Sequence, residues 1–478
     1  MAIEWSGLSP ELLVRLDRSS GQPLRAQLEG TLREAIRDGR LRGGERLPSS
    51  RELARELGVS RGMVQECYGQ LLAEGYLTSR TGSATRVADI SERPAAAAPK
   101  APQPARPAPD RALIADFQTG VPDLASFPRN DWARAVRQAC GEVASADLGY
   151  GDPRGSVVLR EVLAGYLRRV RAADADPRQM IISTGFAQGL NLVLRALSRE
   201  GGVSCVAFED PGYGSPLSDE TVRATVAMGL RAEFVPVDEE GLVVGALAAS
   251  GAQAVVVTPA HQSPTGVVLS AARRHALVAW AEGTGGWVIE DDYDSEFRYD
   301  KEPVGALQGL APDQVFLVGT ASKSLAPAVR LGWVHAPAAL AEAVSAEKEM
   351  SDRGSCTLDQ LALATLLTSG RYDRHLRRMR GVYGGRRSAL VEAFARHSPG
   401  VRLTGLAAGF QAVAPLPPGA DEAAVIEAAR ERGVGLYGIG GYRSGGDAAG
   451  PPALVMGFGN VRERVIDPAI AAVADLLS

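Results

Sequence analysis

Residues 91–110 read "SERPAAAAPKAPQPARPAPD". A Pro/Ala-rich run of this kind has no periodic apolar face, cannot bury a core, and tends towards extended polyproline conformations. At about 3.1 Å per residue it spans on the order of 60 Å when fully extended. No single core can include it. The chain is therefore divided into a small N-terminal module (residues 1–88), a linker (89–111) and a large body (112–478). At 478 residues the chain is in any case too long for one ordinary domain.

The N-terminal module has a helical pattern, then a hairpin pattern. "PLRAQLEGTLREAIRDG" sets Leu24, Leu28, Leu32 and Ile36 at four-residue steps, one apolar stripe on a helix, with Gly39 as its stop. "LPSSRELARELGVS" offers a serine cap, inward Leu53 and Leu57, and a stop at Gly58. "SRGMVQECYGQLLAEGYL" opens on a second cap at Ser60 and carries Val64, Tyr68, Leu71 and Leu72 on one side. "YLTSRTGSATRVA" reads as two short strands around a Thr-Gly turn. Two helices joined by a tight Gly-containing turn and followed by a β-ribbon describe a winged helix-turn-helix, whose second helix enters the major groove of double-stranded DNA. That helix presents Ser60, Arg61, Met63 and Gln65. Ser49, Ser50 and Arg51 open the preceding helix and suit phosphate contact. Arg80 and Arg86 flank the wing turn. Between Arg40 and Arg86 eight arginines face five glutamates, a modest excess that also fits a small helical interaction module with solvated arginines. The wording is more specific than the charge: "LPSSRELA", "LGVSR", "AEGYL" and "SRTGSATRV" closely resemble the DNA-binding domain of GntR-type regulators over residues 20–88. Gly62 and Gln65 depart from the usual pattern on the reading helix, so the operator cannot be inferred from relatives.

After the linker the texture is α/β. "SCVAFED", "AQAVVVTPA", "GWVIEDD" and "DQVFLVGTA" are strand-sized apolar runs with helical segments between several of them. Such alternation predicts a doubly wound, mostly parallel sheet, with functional residues at the carboxyl ends of its strands. The large part of the body covers about 130–350, and a smaller C-terminal α/β part covers about 360–478.

Bulk properties exclude several classes. Hydrophobic residues are 45%, charged residues 23% and net charge is -4, so the chain has no global cationic field and any DNA contact must be local. Four scattered cysteines without Cys-x-x-Cys pairing argue against a zinc site or disulfide framework. No apolar run approaches the roughly 20 residues of a membrane span. These features predict a soluble, cytoplasmic protein with no membrane partner and no metal.

Of the 52 basic residues only four are lysine. One of them, Lys323, lies in "GTASKSLAPAVRLGWV". Lysine offers an amine that condenses with an aldehyde, which arginine cannot. Pyridoxal 5'-phosphate is the commonest such partner. It also needs a carboxylate at its pyridine nitrogen and donors for its phosphate. Asp291 and Tyr293, at the end of "GWVIE", suit the pyridinium and the ring hydroxyl. Thr320 and Ser322 offer hydroxyls, and Arg330 a two-donor fork. In "STGFAQGL", Gly185 precedes backbone N–H groups at Phe186 and Ala187 that suit phosphate at a helix start. Singly, each has a plainer explanation: a solvated lysine, an acidic cap, a common turn. Their order along the strand ends favours one crevice.

With these motifs, and "YGDPRGSVVLREVLAGYL", "EDPGY", "PAHQSPTG" and "IEDDYDSEFRY", residues 113–478 look like a fold type I aminotransferase. Behind a GntR-type domain, this is the architecture of the MocR family of transcriptional regulators. The resemblance implies Lys323 as the Schiff-base lysine, Asp291 at the pyridine nitrogen, Tyr293 near the ring hydroxyl and Arg330 on the phosphate. It implies a homodimer in which Tyr150 reaches the neighbouring subunit's phosphate, and Tyr213 on the effector side of the pocket. Two departures qualify it. Ser263, preceded by His261 and Gln262, replaces the aminotransferase Asn, which implies a changed contact of His261 to the cofactor ring. Pro451 and Pro452 occupy the slot of the carboxylate-clamping arginine, and Arg443 is the nearest arginine upstream. Losing that charge-assisted clamp removes about 1.5–3 kcal/mol. The expected function is a regulator that senses pyridoxal phosphate and controls vitamin B6 genes, as PdxR-like regulators do. The alternatives are a regulator sensing an amino acid or an amine such as γ-aminobutyrate, a working aminotransferase with an accessory module, and an apo-scaffold.

Overall fold

The computed structural model describes residues 16–79, 84–89, 113–214, 219–299, 304–446 and 450–477. The chain separates into two units, the first ending at Pro109 and the second beginning at Asp110.

The first unit is built from three helices, two of them capped by serine, and a ribbon. Helix α1 (Leu24–Arg37) buries Leu28, Leu32 and Ile36, and Gly39 follows its end at φ 71°. Helix α2 (Ser50–Leu57) starts where the Ser49 hydroxyl accepts the Glu52 N–H at 3.2 Å, and stops at Gly58, which takes the left-handed conformation a C-cap needs. Helix α3 (Arg61–Ala73) starts in the same way, with Ser60 accepting from Met63 at 3.2 Å, and buries Val64, Cys67, Tyr68 and Leu71. Strands β1 (Leu77–Thr78) and β2 (Arg86–Val87) pair antiparallel. The turn between them and Arg80 lie outside the described residues, as does the whole Pro/Ala-rich run. Ion pairs Arg25–Glu66 at 3.0 Å and Arg33–Glu74 at 2.9 Å tie α1 to α3. Two of the glutamates that dilute the basic stretch are therefore structural.

The second unit opens with β3 (Ala115–Asp116), α4 (Arg129–Glu142) and α5 (Val157–Arg171). Its main sheet takes β4 (Met180–Ser183), β5 (Cys205–Asp210), β6 (Arg231–Asp238), β7 (Gly241–Leu242), β8 (Ala254–Val257), β9 (Trp287–Asp292), β10 (Val315–Thr320) and β11 (Gly332–His335). The spatial order is β4-β11-β10-β9-β8-β5-β6-β7. Strands β10, β9, β8, β5 and β6 run parallel, while β11 is antiparallel to both neighbours and β7 to β6. Between the strands run α6 (Phe186–Arg199), α7 (Glu220–Ala227), α8 (Val244–Ser250) and α9 (Ala271–Thr284). Helices α10 (Ala341–Asp352), α11 (Thr357–Thr368) and the long α12 (Arg371–His397) follow.

The inner strands β5, β8, β9 and β10 read as apolar runs because both faces of the sheet are covered there. Val206, Phe208, Val256, Ile289, Phe316 and Val318 pack on one face with Leu190 and Val193 of α6 and Val344 of α10. Cys205, Ala207, Val255, Val257, Val288 and Val315 pack on the other with Leu277 and Trp280 of α9. This is the doubly wound arrangement expected from the alternation.

The C-terminal layer consists of β12 (Gln411–Pro415), α13 (Glu422–Glu431), β13 (Val434–Gly435), β14 (Ala453–Gly457) and α14 (Glu463–Val473). Strand β12 pairs antiparallel with β14, and β13 pairs parallel with β3. One apolar cluster joins this layer to the sheet, running from Leu317 and Trp333 to Phe410, Leu454 and Phe458. Among the described residues no helix is long and apolar enough to cross a membrane, and no group of three or more His, Cys, Asp or Glu side chains is set to hold a metal.

Candidate functional site

Strand β9 alternates faces along "WVIEDD". Asp291 follows Ile289 onto the α6 side, whereas Glu290 and Asp292 turn to the other side. There Asp292 accepts the Arg171 guanidinium at 2.8 Å, and Glu290 lies 3.7 Å from it. The three consecutive acids thus divide into two structural ones and one aimed at a cavity. That cavity measures about 910 Å³, and its lining includes Lys323, Asp291, Tyr293, Tyr213, Thr320, Ser322, Arg330, Phe186, Ala187 and Ser263. It lies at the carboxyl ends of the parallel strands, where such sheets bind ligands.

Asp291 is buried. Its Oδ2 accepts the Tyr213 hydroxyl at 2.6 Å, and its Oδ1 has no partner. Burial pushes the carboxyl up to about 8; the Tyr213 bond and the Lys323 charge oppose this, and the charges of Asp292 and Asp294 add to it. Lys323 sits on the loop after β10, and its ammonium donates to the Gly120 carbonyl. Burial lowers its pKa against the pull of Asp291 and Asp294, which is the direction a nucleophilic amine needs. Gly120 is left-handed at φ 71°, and a Cβ there would lie 3.0 Å from Nζ. The glycine therefore keeps room for the amine.

At the other end of the cavity α6 begins directly after Gly185 (φ 121°), so its first N–H groups, at Phe186 and Ala187, have no carbonyl of their own helix to donate to. The Arg330 guanidinium lies 3.6 Å from where a Gly185 Cβ would stand, and Arg330 is itself left-handed at φ 52°. Thr320 Oγ1 donates to Ser322 Oγ at 2.9 Å and holds the turn that carries Lys323. The ring of Tyr213 stacks on Phe186, with centroids 6.0 Å apart and planes at 5°. Tyr213 is thus committed to Asp291 and the helix start. Tyr293 donates to the His261 carbonyl at 2.9 Å.

Three cofactor residues named from the sequence are not part of this cavity's lining: Gly185, which adjoins it at Phe186, His261 and Tyr150. His261 is fully buried behind Tyr293. Its Nδ1 bonds Asp294 at 2.8 Å and its Nε2 faces the Gly405 carbonyl, so it meets the cavity only through Tyr293. Burial opposes its charge, but the Asp294 carboxylate holds the imidazole above its ordinary pKa. Tyr150 is 79% exposed, with the Arg353 guanidinium 5.5 Å from its ring centroid.

Several residues that shape the site were given no role in it by the sequence. Glu209, on β5, accepts Thr258 Oγ1 at 2.5 Å and Gln262 Nε2 at 3.3 Å, and burial pushes it up to about 7. Gln262 also donates to the Pro211 carbonyl at 2.8 Å, so one amide links the loops that present Tyr213 and Ser263. Part of the cavity wall comes from the C-terminal layer: Gln411, Ile426, Glu427, Arg430, Tyr437 and Tyr442. Arg443, the nearest arginine before Pro451, is buried, donates to the Pro451 carbonyl at 2.7 Å and does not line the cavity. Across the cavity mouth, Gly212 N–H donates to the Tyr442 carbonyl at 2.7 Å and Ser444 Oγ to Asp210 at 2.5 Å.

In the first unit, Arg51, Arg61 and Gln65 are exposed and Ser50 and Met63 are half-buried. The Ser49 and Ser60 hydroxyls are engaged as caps. Arg86 donates to the Gly44 carbonyl at 2.8 Å and braces the ribbon.

Fold and site together define an aminotransferase class I and II domain preceded by a GntR-type DNA-binding domain. The family model "Aminotransferase class I and II" matches residues 114–443, and "Bacterial regulatory proteins, gntR family" matches 24–87. The chain belongs to the MocR family of HTH-type transcriptional regulators. It is 33% identical over 470 residues to the HTH-type pyridoxine biosynthesis transcriptional regulator PdxR of Corynebacterium glutamicum, covering 98% of this chain and 99% of that one. It is 32% identical over 438 residues to the probable rhizopine catabolism regulatory protein MocR of Rhizobium meliloti, covering 88% and 87%. Among solved structures, the kynurenine aminotransferase of Pyrococcus horikoshii, in complex with PMP, matches at TM-score 0.68 and 25% identity, over 77% of this chain and 91% of that one. The α-aminoadipate aminotransferase LysN of Thermus thermophilus, complexed with N-(5'-phosphopyridoxyl)-L-leucine, matches at 0.67 and 25%, over 77% and 92%. This fold implies binding of a pyridoxal-phosphate-type cofactor, and the GntR-type domain implies binding of DNA.

Proposed function

We propose that the protein is a transcriptional regulator that binds pyridoxal 5'-phosphate in the cavity of its second unit, senses it there, and controls genes of vitamin B6 metabolism. The observation that carries this is the unpartnered Oδ1 of buried Asp291 in a cavity that also holds the Lys323 amine. A buried carboxylate oxygen without a donor is costly unless a ligand supplies one, and a protonated pyridine nitrogen is such a donor. The cofactor brings an aldehyde that condenses with a primary amine. Lys323 supplies that amine. The α6 N-terminus and Arg330 would hold a dianionic phosphate, and Tyr213 and Tyr293 would line the site of the ring. Whole-length similarity to a pyridoxine biosynthesis regulator supports the choice of signal.

A cytoplasmic homodimer suits this reading. Exposed Tyr150 is free to reach a neighbouring copy's phosphate site, and paired reading helices, with Arg61 and Gln65 outward, suit a two-part operator. Glu427 and Arg430, one helical turn apart on the part of the wall that the C-terminal layer supplies, favour a second reading. In it, an amino-acid or amine effector joins the cofactor and meets these charges in place of the clamp missing at Pro451 and Pro452.

The test has two parts. The full chain mixed with pyridoxal phosphate should show an absorbance band at about 400–430 nm, and Lys323→Ala should lack it; a wild-type spectrum without the band refutes the cofactor. Binding to the protein's own upstream DNA should be salt-dependent and change on adding pyridoxal phosphate. Equal, sequence-blind binding in both conditions refutes the regulator.

A further inference from the structure

Lys348 is a second lysine in this arginine-rich chain, and its side chain is 0% exposed. It lies in the last two turns of α10. Its ammonium donates to three acceptors: Asp352 Oδ2 at 2.7 Å, Ser355 Oγ at 2.9 Å and Gln188 Oε1 at 3.0 Å. That is the full donor capacity of an ammonium, in a space a planar, five-donor guanidinium does not match. Burial lowers the Lys348 pKa and the Asp352 carboxylate opposes this, so the buried charge has a hydrogen-bonded counter-ion.

The Gln188 end of this network reaches the cavity. Gln188 is the third residue of α6. Its Oε1 accepts the Thr184 N–H at 2.8 Å, closing the turn around Gly185, and its Nε2 donates to Asp352 at 2.7 Å. The turn from Thr184 to Ala187 is the one that presents the α6 N–H groups to the cavity. A continuous set of hydrogen bonds therefore runs from α10 through Gln188 to the anion-binding end of the site, and none of it touches the Lys323 end.

We propose that Lys348, acting through Gln188, is a positioning residue for the phosphate-binding turn of the cavity, holding the α6 N–H groups in place for a dianion. This rests on the pyridoxal-phosphate reading of the cavity. It predicts a selective defect: loosening the turn should weaken a ligand that carries the phosphate and spare the same aldehyde without it.

The full-length protein, Lys348→Met and Gln188→Leu would be freed of cofactor and titrated with pyridoxal phosphate and with pyridoxal, following the band at about 400–430 nm. Both variants should lose about tenfold in affinity for pyridoxal phosphate and less than about twofold for pyridoxal, the lower end of what losing an outer support of a bound group costs. Gln188→Leu leaves the bonds from Lys348 to Asp352 and Ser355 intact, so it tests the link even where Lys348→Met fails to fold. Equal losses for the two aldehydes in Gln188→Leu, or no loss for either, overturn the proposal. A wild-type protein that develops no band with either aldehyde overturns the cofactor reading beneath it.

Discussion

Asp291→Asn should make the cofactor-free protein more stable while weakening its hold on pyridoxal phosphate. The carboxyl is buried with one oxygen unpartnered, and its pKa is pushed up to about 8. An unfolded aspartate titrates near 3.9. A carboxyl with a raised folded pKa contributes stability that is complete below the unfolded pKa and is lost as pH rises through the folded one. Between those limits the loss is about 1.4 kcal/mol per pH unit, or about 4 kcal/mol by neutral pH. Asparagine stays neutral at every pH and keeps the acceptor for the Tyr213 hydroxyl. The stability difference between variant and wild type should therefore grow by about 2 kcal/mol from about pH 6 to about pH 8. Glu209, Glu290 and Glu296 also carry raised pKa values, to about 7, 7 and 8. Both proteins should thus weaken as pH rises, and only the difference isolates Asp291. The assay is urea unfolding followed by tryptophan fluorescence. Trp132, Trp280, Trp287 and Trp333 all belong to the second unit and report its unfolding. A difference that is flat with pH, or an asparagine variant that is less stable at about pH 8, would refute the reasoning.

Leu71→Ala removes a fully buried side chain from the core of the first unit. It should cost about 2–5 kcal/mol, a large share of the stability of so small a unit. DNA binding measured by fluorescence anisotropy should be lost while the cofactor band persists; loss of both would show that the units do not fold independently. Gly332→Ala would place a Cβ 2.7 Å from the Gly185 Cα and 2.8 Å from the Gly319 carbonyl oxygen. Overpacking of this kind costs about 1–3 kcal/mol. The urea midpoint and the affinity for pyridoxal phosphate should both fall, and an unchanged midpoint would mean that the contact relaxes freely.

What could be read from the sequence was whatever physics keeps local. Ser49, Ser60 and Gly58 cap helices whose starts and stops depend on neighbours within four residues. The runs around Cys205–Asp210, Ala254–Val257, Trp287–Asp292 and Val315–Thr320 are apolar because both faces of their sheet are covered. Lys323 stood out because lysine is scarce and its neighbours suit one ligand. The antiparallel run of β11 was not anticipated, although only residues 321–331 separate it from β10, short of the dozen or so a parallel crossover needs. Glu209 and Gln262 could not be placed, because a residue's partner across two loops is decided by the sheet and not by spacing. Lys348 carried the same scarcity signal as Lys323, but in "AEKEM" it reads as a solvated helix residue; Gln188, its link to the site, lies 160 positions away. His261 shows the opposite limit: its place beside the cavity was readable, and its being turned behind Tyr293 was not.

The cavity's two walls are joined unequally. At the back, the sheet and the C-terminal layer share one apolar cluster, whose separation would expose large hydrophobic area. On the cavity side they also meet through polar bonds such as Gly212 to Tyr442, worth about 0.5–1.5 kcal/mol net, and Ser444 to the Asp210 carboxylate, worth about 1.5–3 kcal/mol. The polar side of this seam is therefore the cheaper of the two to separate, and the apolar cluster is what keeps the C-terminal layer on the sheet.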